Sequence, residues 1–217
     1  MSTEVNFDYS RFNNYKMMDY VRPVGNMLCK TYYKVEYQGL ENLDRTGGII
    51  IAPNHVTALD PLFIAMATNR RLHYIAKYEL FEKAIPNYIL THFNAFPIVR
   101  GRGDMRAINY AIEIIRRGEG LCIFPEGTRS KNGIPQQAKS GIGYMARHTG
   151  SDVIPTAIYI ENLQKKGSKI IVKFGKAIKN SDLGFTEGGK NKEHKIAAAM
   201  IMDEITKLWE ECKEECK

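Results

Sequence analysis

The pattern in this chain best suited to chemistry is a histidine followed five residues later by an aspartate. His55 comes after a short apolar run, and Asp60 precedes Pro61 where a helical pattern begins. Histidine is the usual general base near neutral pH, and a carboxylate on its other ring nitrogen fixes its tautomer and stabilises the imidazolium. Because the chain turns from strand to helix between the two residues, Asp60 can reach back to His55. The competing interpretation is that Asp60 only caps the helix and that His55 is an ordinary turn residue.

No side-chain nucleophile accompanies this base. The chain lacks G-x-S-x-G, and its four cysteines (Cys29, Cys122, Cys212 and Cys216) are scattered and have no neighbouring base. A base without a protein nucleophile indicates direct activation of a substrate hydroxyl or of water. The histidines and cysteines lack ligand spacing, so no metal site is predicted, and the absence of a phosphate loop or dinucleotide fingerprint argues against a nucleotide cofactor.

A second polar cluster offers groups that bind anions. Gly127 permits a tight turn after Glu126, and Arg129 is followed by further donors. Arg100 is another candidate for holding an anion, and Lys139 stands just before a helical segment. A salt-bridged loop and solvated surface cations are the alternatives for these residues.

The clusters share one position relative to the predicted strands, since each follows directly after an apolar run. Asn54 and His55 follow residues 49–52, Arg100 follows residues 96–99, and the Glu126 cluster follows residues 121–124. If these strands are parallel, all three clusters lie at the carboxyl edge of one sheet, where α/β proteins build their sites.

The elements alternate between strand and helix along most of the chain. Apolar runs and alternation predict strands at residues 33–37, 48–52, 72–76, 95–99, 120–124, 153–160 and 169–174. Three- and four-residue spacing and caps predict helices at residues 11–30, 60–68, 79–93 with a break at Pro86, 104–117, 140–148 and from 193 onward. We therefore expect one α/β domain with a mixed, largely parallel sheet flanked by helices. The domain proper is predicted at residues 31–217, after an amphipathic helical segment at residues 1–30.

Composition and charge narrow the class of protein. The chain has 217 residues, of which 44% are hydrophobic and 25% charged, and a net charge of +7. These values are ordinary for a globular chain, and no apolar run approaches the roughly 18 residues of a spanning helix. Nine lysines lie between residues 164 and 195, and five arginines between residues 100 and 117. Such local basicity suggests an anionic partner, which charge alone does not identify as nucleic acid, membrane or phosphorylated substrate.

Several blocks resemble the glycerolipid acyltransferase family, most of all its bacterial lysophosphatidic acid acyltransferases. The segment Asn54-His55-Val-Thr-Ala-Leu-Asp60 is similar to the family's N-H-x-x-x-x-D block. Phe124-Pro-Glu-Gly-Thr-Arg-Ser130 is similar to its F-P-E-G-T-R-S block. Residues 94–100 and 153–158 stand where the family has two further blocks, and the resemblance runs from about residue 33 to residue 175.

This resemblance implies transfer of an acyl group from acyl-CoA or acyl-carrier protein to a hydroxyl of a lysophospholipid or glycerol phosphate. His55 would deprotonate the hydroxyl, Asp60 would orient His55, and no covalent acyl-enzyme would form. The implied acceptor-binding residues are Arg100, Glu126, Gly127, Thr128 and Arg129, with Asn54, Lys139 and Pro155 in supporting positions. The acyl donor is a co-substrate, and no cofactor is implied.

An acceptor that lives in a bilayer implies contact with an anionic membrane surface. The stripe Phe12, Tyr15, Met18 and Val21 of the N-terminal segment suits insertion into the interface, and it equally suits packing on the domain. The residues before Arg11 lack the apolar core of a secretory signal. We expect a peripheral protein on the cytoplasmic side of the membrane, without a transmembrane segment.

Two other functional classes stay open. One is the same chemistry on another acceptor, such as glycerol 3-phosphate, a different lysophospholipid or an ornithine-type lipid. The other is a non-enzymatic protein that binds anions or acidic lipid through its lysines. Nucleic acid is not expected as a partner, because the sequence has no RNA-recognition aromatic motif and no zinc finger.

Overall fold

A computed structural model describes residues 7–99, 103–165, 167–189 and 191–216. Within these ranges seven strands form one sheet: β1 Val35–Gln38, β2 Ile49–Pro53, β3 Leu72–Lys77, β4 Ala95–Ile98, β5 Gly120–Cys122, β6 Val153–Ile160 and β7 Ile170–Phe174. Their order across the sheet is β1-β7-β6-β2-β5-β3-β4. Neighbouring strands pair in parallel except β6 and β7, which are antiparallel. The predicted mixed, largely parallel sheet is confirmed.

Helices cover both faces of the sheet. They are α1 Met17–Thr31, α2 Asp60–Met66, α3 Ala84–His92, α4 Met105–Arg116, α5 Gly141–Thr149 and α6 Asn191–Glu214, with short 3₁₀ turns at Leu40–Leu43, Tyr78–Leu80 and Asn180–Leu183. Side chains alternate along β2, so Ile49 and Ile51 pack with α1–α3 in one cluster, whereas Ile50 and Ala52 pack with α4–α6 in the other. Because both faces are covered, β2 is apolar and buried throughout.

The carboxyl edge of the central strands carries the predicted site. Ile51 of β2 stands opposite Cys122 of β5, so the loops that leave these two strands begin side by side. This brings the clusters at residues 54–60 and 126–129 together, as expected for parallel strands. Arg100, which follows β4, lies outside the described residues, as does Arg102.

The N-terminal segment differs from its prediction. A helix was expected from Arg11, but α1 begins at Met17, and the described residues before it form an irregular segment against the domain. The Phe12 ring lies 5.3 Å from the ring of His73, and the Tyr15 ring lies 4.4 Å from that of His92. Phe12, Tyr15 and Met18 of the apolar stripe predicted from the sequence therefore contact the protein. The spacing of the stripe was helical by coincidence, because its first two residues are not in a helix.

Two prolines and one aspartate bear on the predicted helix boundaries. Pro86 was expected to break a helix, whereas it lies in the first turn of α3, where a backbone N–H has no partner within the helix. Pro23 lies inside α1, which continues through it. Asp104 caps α4 as predicted, since its side chain accepts a hydrogen bond from the Ala107 N–H at 3.3 Å.

Candidate active site

The His55 and Asp60 side chains form a hydrogen-bonded pair at the end of β2. The distance between His55 Nδ1 and Asp60 Oδ2 is 2.7 Å, and the aspartate is fully buried. The His55 ring stacks on Phe124, with ring centroids 4.1 Å apart and planes inclined by 27°. A carboxylate against Nδ1 holds the proton on that nitrogen, so Nε2 carries the lone pair. The imidazole is thereby prepared to accept a proton at Nε2.

The buried Asp60 carboxylate is saturated with donors from its own loop. Besides the His55 ring, Oδ2 accepts the N–H groups of Val56 at 2.6 Å and Thr57 at 2.9 Å. Oδ1 accepts the Thr57 hydroxyl at 2.8 Å. These bonds offset the cost of burying a charge, and they fix the carboxylate relative to the ring.

The expected helix-capping role of Asp60 is therefore wrong. Leu59 occupies the N-cap position of α2, and Asp60 is the first residue of the helix. The carboxylate points back to the N–H groups of Val56 and Thr57, which lie before the helix, and not forward into its first turn. Its bonds serve the loop and the histidine.

Asn54 ties this loop to the neighbouring strand. Its buried amide accepts the Ile158 N–H at 2.7 Å and donates to the Ile158 carbonyl at 3.0 Å. Pro155, another predicted supporting residue, lies on β6 opposite Ala52, and its carbonyl accepts the Gly175 N–H at 2.8 Å. Both residues act on the sheet beneath the site, and neither contacts the His55 ring by a hydrogen bond.

The loop after β5 wraps against the histidine loop. Gly127 adopts a left-handed conformation with φ of +69°, and its N–H donates to the Phe124 carbonyl at 3.0 Å, which closes a tight turn. The Ser130 N–H donates to the His55 carbonyl at 2.8 Å. The Lys139 N–H in turn donates to the Pro125 carbonyl at 2.9 Å. The loop is thus pinned at its start, its middle and its end.

Glu126 is buried between the two loops. One carboxylate oxygen accepts the His55 N–H at 2.8 Å, and the other accepts the Gln136 N–H at 3.2 Å. Burial raises the pKa of Glu126 to about 7, against the two hydrogen bonds that lower it, and the charge of Asp60 adds to the rise. The family resemblance grouped this residue with acceptor ligands, but the side chain is buried and each of its oxygens accepts a main-chain hydrogen bond.

Cationic and hydroxyl groups are exposed beside this turn. Thr128 and Arg129 lie on the surface immediately after Gly127. The Lys139 side chain crosses the turn, since a β-carbon on Gly127 would lie 3.3 Å from Lys139 Nζ. These groups stand next to the loop that holds His55.

Some features of the site were not anticipated. Thr57 donates both its N–H and its hydroxyl to Asp60, and Phe124 supports the His55 ring. A hydroxyl three residues before a carboxylate is a recognisable turn signal, so Thr57 was accessible from the sequence. The backbone of Gln136 was not, because nothing in its residue type marks a main-chain contact.

Possible metal ligands, cysteines and membrane-spanning helices were sought in the described residues. They contain no group of three or more metal-ligating side chains. All four cysteines are free, and burial raises the pKa of the Cys122 thiol, with a further rise from the charge of Asp60. Among the helices described, none has the length and apolar character needed to cross a bilayer.

Comparison with known proteins agrees with this arrangement. The Acyltransferase family model matches residues 34–159. A 1-acyl-sn-glycerol-3-phosphate acyltransferase of Borreliella burgdorferi is 31% identical over 131 residues, which are 59% of this chain and 52% of that protein. A protein of the same name from Streptococcus pneumoniae is 30% identical over 170 residues, covering 74% of this chain and 62% of that protein. The chain spans about half the length of the curated relatives it matches.

A solved structure has the same fold. The crystal structure of the 1-acyl-sn-glycerophosphate (LPA) acyltransferase PlsC from Thermotoga maritima gives a TM-score of 0.71 at 23% sequence identity, covering 90% of this chain and 79% of that one. The family match takes in more than half of the chain and includes both loops that form the His55–Asp60 site. The protein therefore belongs to the Acyltransferase family.

Proposed function

We propose that the protein is an O-acyltransferase that moves a fatty acyl group to the free hydroxyl of 1-acylglycerol-3-phosphate, giving phosphatidic acid. The donor is acyl-CoA or acyl-carrier protein, and no cofactor takes part. The observation that carries this proposal is the hydrogen-bonded His55–Asp60 pair, whose Nε2 is prepared to act as a base beside exposed cationic side chains. The names of the relatives support the choice of acceptor.

The reaction requires one proton to move twice. His55 Nε2 takes the proton of the acceptor hydroxyl while the hydroxyl oxygen attacks the thioester carbonyl. Asp60 stabilises the imidazolium that forms, through its 2.7 Å contact with Nδ1. The tetrahedral intermediate then collapses with cleavage of the carbon–sulfur bond, and His55 returns the proton to the departing thiolate. The acyl group is never attached to the protein.

The acceptor's phosphate is proposed to bind the exposed cations next to this base. Arg129 offers a planar pair of donors that suits phosphate oxygens, and Lys139 adds a second charge across the Gly127 turn. Arg100, which lies outside the described residues, is proposed to contribute as well. Thr128 supplies a hydroxyl donor at the same turn. An acceptor without a phosphate leaves these groups unused, so we expect a strong preference for phosphorylated acceptors.

Release of free thiol from acyl-CoA, measured with a panel of acceptors, tests the proposal. We expect 1-acylglycerol-3-phosphate to be used with a higher kcat/KM than glycerol 3-phosphate, lysophosphatidylcholine or an ornithine lipid. A different preferred acceptor would change the substrate and keep the chemistry. No thiol release with any acceptor, and with either acyl donor, would leave the anion-binding alternative as the function.

Membrane attachment is proposed through the outer face of α1, defined as Tyr20, Val24, Met27 and Leu28. Their spacing of four, seven and eight residues puts them on one side of the helix, and Tyr20 is 82% exposed and Met27 59% exposed. The opposite side of α1 packs inward, where Gly25 lies against Met66. On the same face of the sheet, α3 exposes Ile85, Tyr88 and Ile89. An acceptor anchored in a bilayer gives these apolar surfaces a partner.

The lysines between residues 164 and 195 contribute less to attachment than their number suggests. Lys169 lies 2.9 Å from Glu36, and Lys173 lies within 3.1 Å of Glu211 and Glu215. Lys166 and Lys190 lie outside the described residues. We propose peripheral attachment on the cytoplasmic side of the membrane, where acyl-CoA and acyl-carrier protein are found, with apolar insertion as the main term and salt-screened attraction as the minor one.

A further inference from the structure

The two loops of the site are joined through a single side chain. Glu126 is only 3% exposed, and its carboxylate spans the space between the N–H of His55 and the N–H of Gln136. The first of these belongs to the loop of the base, and the second lies ten residues further along the glutamate's own loop. The carboxylate therefore sets the distance between the histidine and the Gln136 end of the loop at residues 126–139.

The peptide groups on both sides of the His55 α-carbon are held by this loop. The His55 N–H donates to Glu126, and its carbonyl accepts the Ser130 N–H at 2.8 Å. The ring has its own support from Asp60 and Phe124. The backbone and the ring of His55 are thus fixed by different residues. Among the described residues, Glu126 provides the only side-chain hydrogen bond to the His55 backbone.

We propose that Glu126 is a positioning residue that holds the His55 backbone through its ionised carboxylate, and that it does not bind the acceptor. The inference rests on the proposed function of the site, in which His55 is the base. It replaces the role that the family resemblance gave to this glutamate, because the side chain is only 3% exposed and each of its oxygens already accepts a main-chain hydrogen bond.

The chemistry of the two bonds requires the ionised form. A carboxylate has two acceptor oxygens, one for each N–H, whereas a protonated carboxyl group or an amide turns one of its two polar atoms into a donor. A donor facing an N–H breaks that bond and leaves a buried group unsatisfied. Protonation of Glu126 therefore releases one of the two loops, and Glu126→Gln reproduces that state at any pH.

The pH at which Glu126 is protonated depends on its burial and on the charged groups around it. Burial raises the pKa of Glu126 to about 7, and the charge of Asp60, at the start of α2, adds a smaller contribution. From the loop of the base, His55 offers its N–H while its ring is directed to Asp60. From the end of the second loop, the Lys139 side chain lies over Gly127, which follows Glu126 in the chain. Both hydrogen bonds of the Glu126 carboxylate are therefore present in most molecules above neutral pH, and one of them is lost as the pH falls below 7.

Hydrogen exchange of the intact protein tests the two hydrogen bonds of Glu126 without relying on activity. At pH 7.5 we expect one of the two amides, that of His55 or that of Gln136, to exchange about tenfold faster in Glu126→Gln, because the glutamine side chain keeps one of the two buried hydrogen bonds and loses the other. Glu161→Gln, an exposed glutamate that follows β6, is the matched control and should exchange like the parent. Unchanged protection at both amides in Glu126→Gln would overturn the proposal whatever the enzyme's activity.

Steady-state kinetics with 1-acylglycerol-3-phosphate separate positioning from binding. At pH 8 we expect Glu126→Gln to lower kcat about a hundredfold, the usual cost of misplacing a catalytic group by about 1 Å, with the acceptor KM within about twofold of the parent. As the pH falls to 5.5 the two kcat values should converge, because the parent then carries a neutral Glu126 as well. A raised acceptor KM with normal kcat would make Glu126 an acceptor ligand and overturn the proposal. A parent that releases no thiol would overturn the proposed function, while hydrogen exchange would still show whether Glu126 holds the two loops.

Discussion

The loops of the site and the N-terminal segment are held to the same sheet by different kinds of contact. In the loops at residues 54–60 and 126–139, buried carboxylates accept several hydrogen bonds each from nearby donors. At residues 7–31 the contacts are mostly aromatic and apolar, and one side of α1 stays exposed. Directional polar contacts require particular residue types at fixed spacing, whereas apolar packing accepts many arrangements. Changes in the loops should therefore affect turnover, and changes in the segment should affect stability and attachment.

Removing the base should give the largest effect. We expect His55→Ala to lower kcat by about 10²–10⁴-fold, the range typical of general acid–base catalysis, while the donor still binds. Thiol release and equilibrium binding of acyl-CoA measure the two quantities. His148→Ala, an exposed histidine on α5, is the control and should leave kcat unchanged. Turnover close to normal in a folded His55→Ala protein contradicts the mechanism.

A companion variant separates orientation from structure. Asp60→Asn keeps the size of the side chain but puts an amide beside His55 Nδ1, which allows the wrong tautomer. If orientation is the role of Asp60, kcat falls while the acceptor KM stays within a few-fold. A purely structural role predicts a lower midpoint of thermal unfolding with little change in kcat.

The next largest effect should lie beneath the N-terminal segment. His73 is fully buried on β3 against the Phe12 ring, and its ring nitrogens have no hydrogen-bond partner in the described part of the chain. Burial, with a contribution from Arg71, lowers its pKa to about 4. The unfolded chain binds this proton near pH 6.5 and the folded one only near pH 4, so stability falls as the pH drops through this window. The loss attributable to His73 is at most about 3 kcal/mol.

Chemical denaturation at pH 7.5 and pH 4.5 measures that loss. His73→Leu should lose less stability than the parent between the two values, and the exposed control His148→Leu should lose as much as the parent. The difference between variants is the useful quantity, because Glu126 acts with the opposite sign. Its raised pKa makes the folded state gain a proton first, so it stabilises the fold as the pH falls from 7 to about 4.5. Identical losses in parent and His73→Leu contradict the prediction.

A smaller effect is expected at the cationic turn of the site. Arg129→Lys keeps the charge but loses the paired donors, so we expect the acceptor KM to rise about thirtyfold and the donor KM to change little. Arg117→Lys at the C-cap of α4, where the arginine pairs with Glu113 at 2.8 Å, is the control. Equal changes in both KM values would place Arg129 outside the acceptor pocket.

The same contrast explains what the sequence could and could not predict. His55, Asp60 and Gly127 were identified because the chemistry of a base, an orienting carboxylate and a tight turn each needs one residue type at one place. The continuous apolar runs of β2 and β5 likewise predict buried parallel strands. The role of Glu126 was not readable, since its partners are main-chain N–H groups that the sequence does not distinguish.

The N-terminal segment was harder for a physical reason. An apolar stripe at three- and four-residue spacing satisfies a helix, a domain contact and a membrane contact equally well. Phe12 and Tyr15 have the spacing of a helix and lie in an irregular segment instead. Which side of α1 is covered depends on Gly25 and on the Met66 side chain it admits, a contact between residues 41 positions apart.

The smallest expected effect concerns attachment to membranes. If the outer face of α1 inserts into the interface, Tyr20→Glu with Met27→Glu should lower the fraction that sediments with anionic vesicles about tenfold, because two apolar groups become charged. Ile196→Glu with Met200→Glu, two exposed apolar residues of α6 on the opposite face of the sheet, is the matched control and should bind like the parent. Phe12→Glu with Met18→Glu should instead lower stability, because these side chains pack on the domain. High salt should weaken binding without abolishing it, since apolar insertion is not screened. Vesicle binding that is lost equally in the α1 and α6 variants would remove the outer face of α1 as the attachment surface.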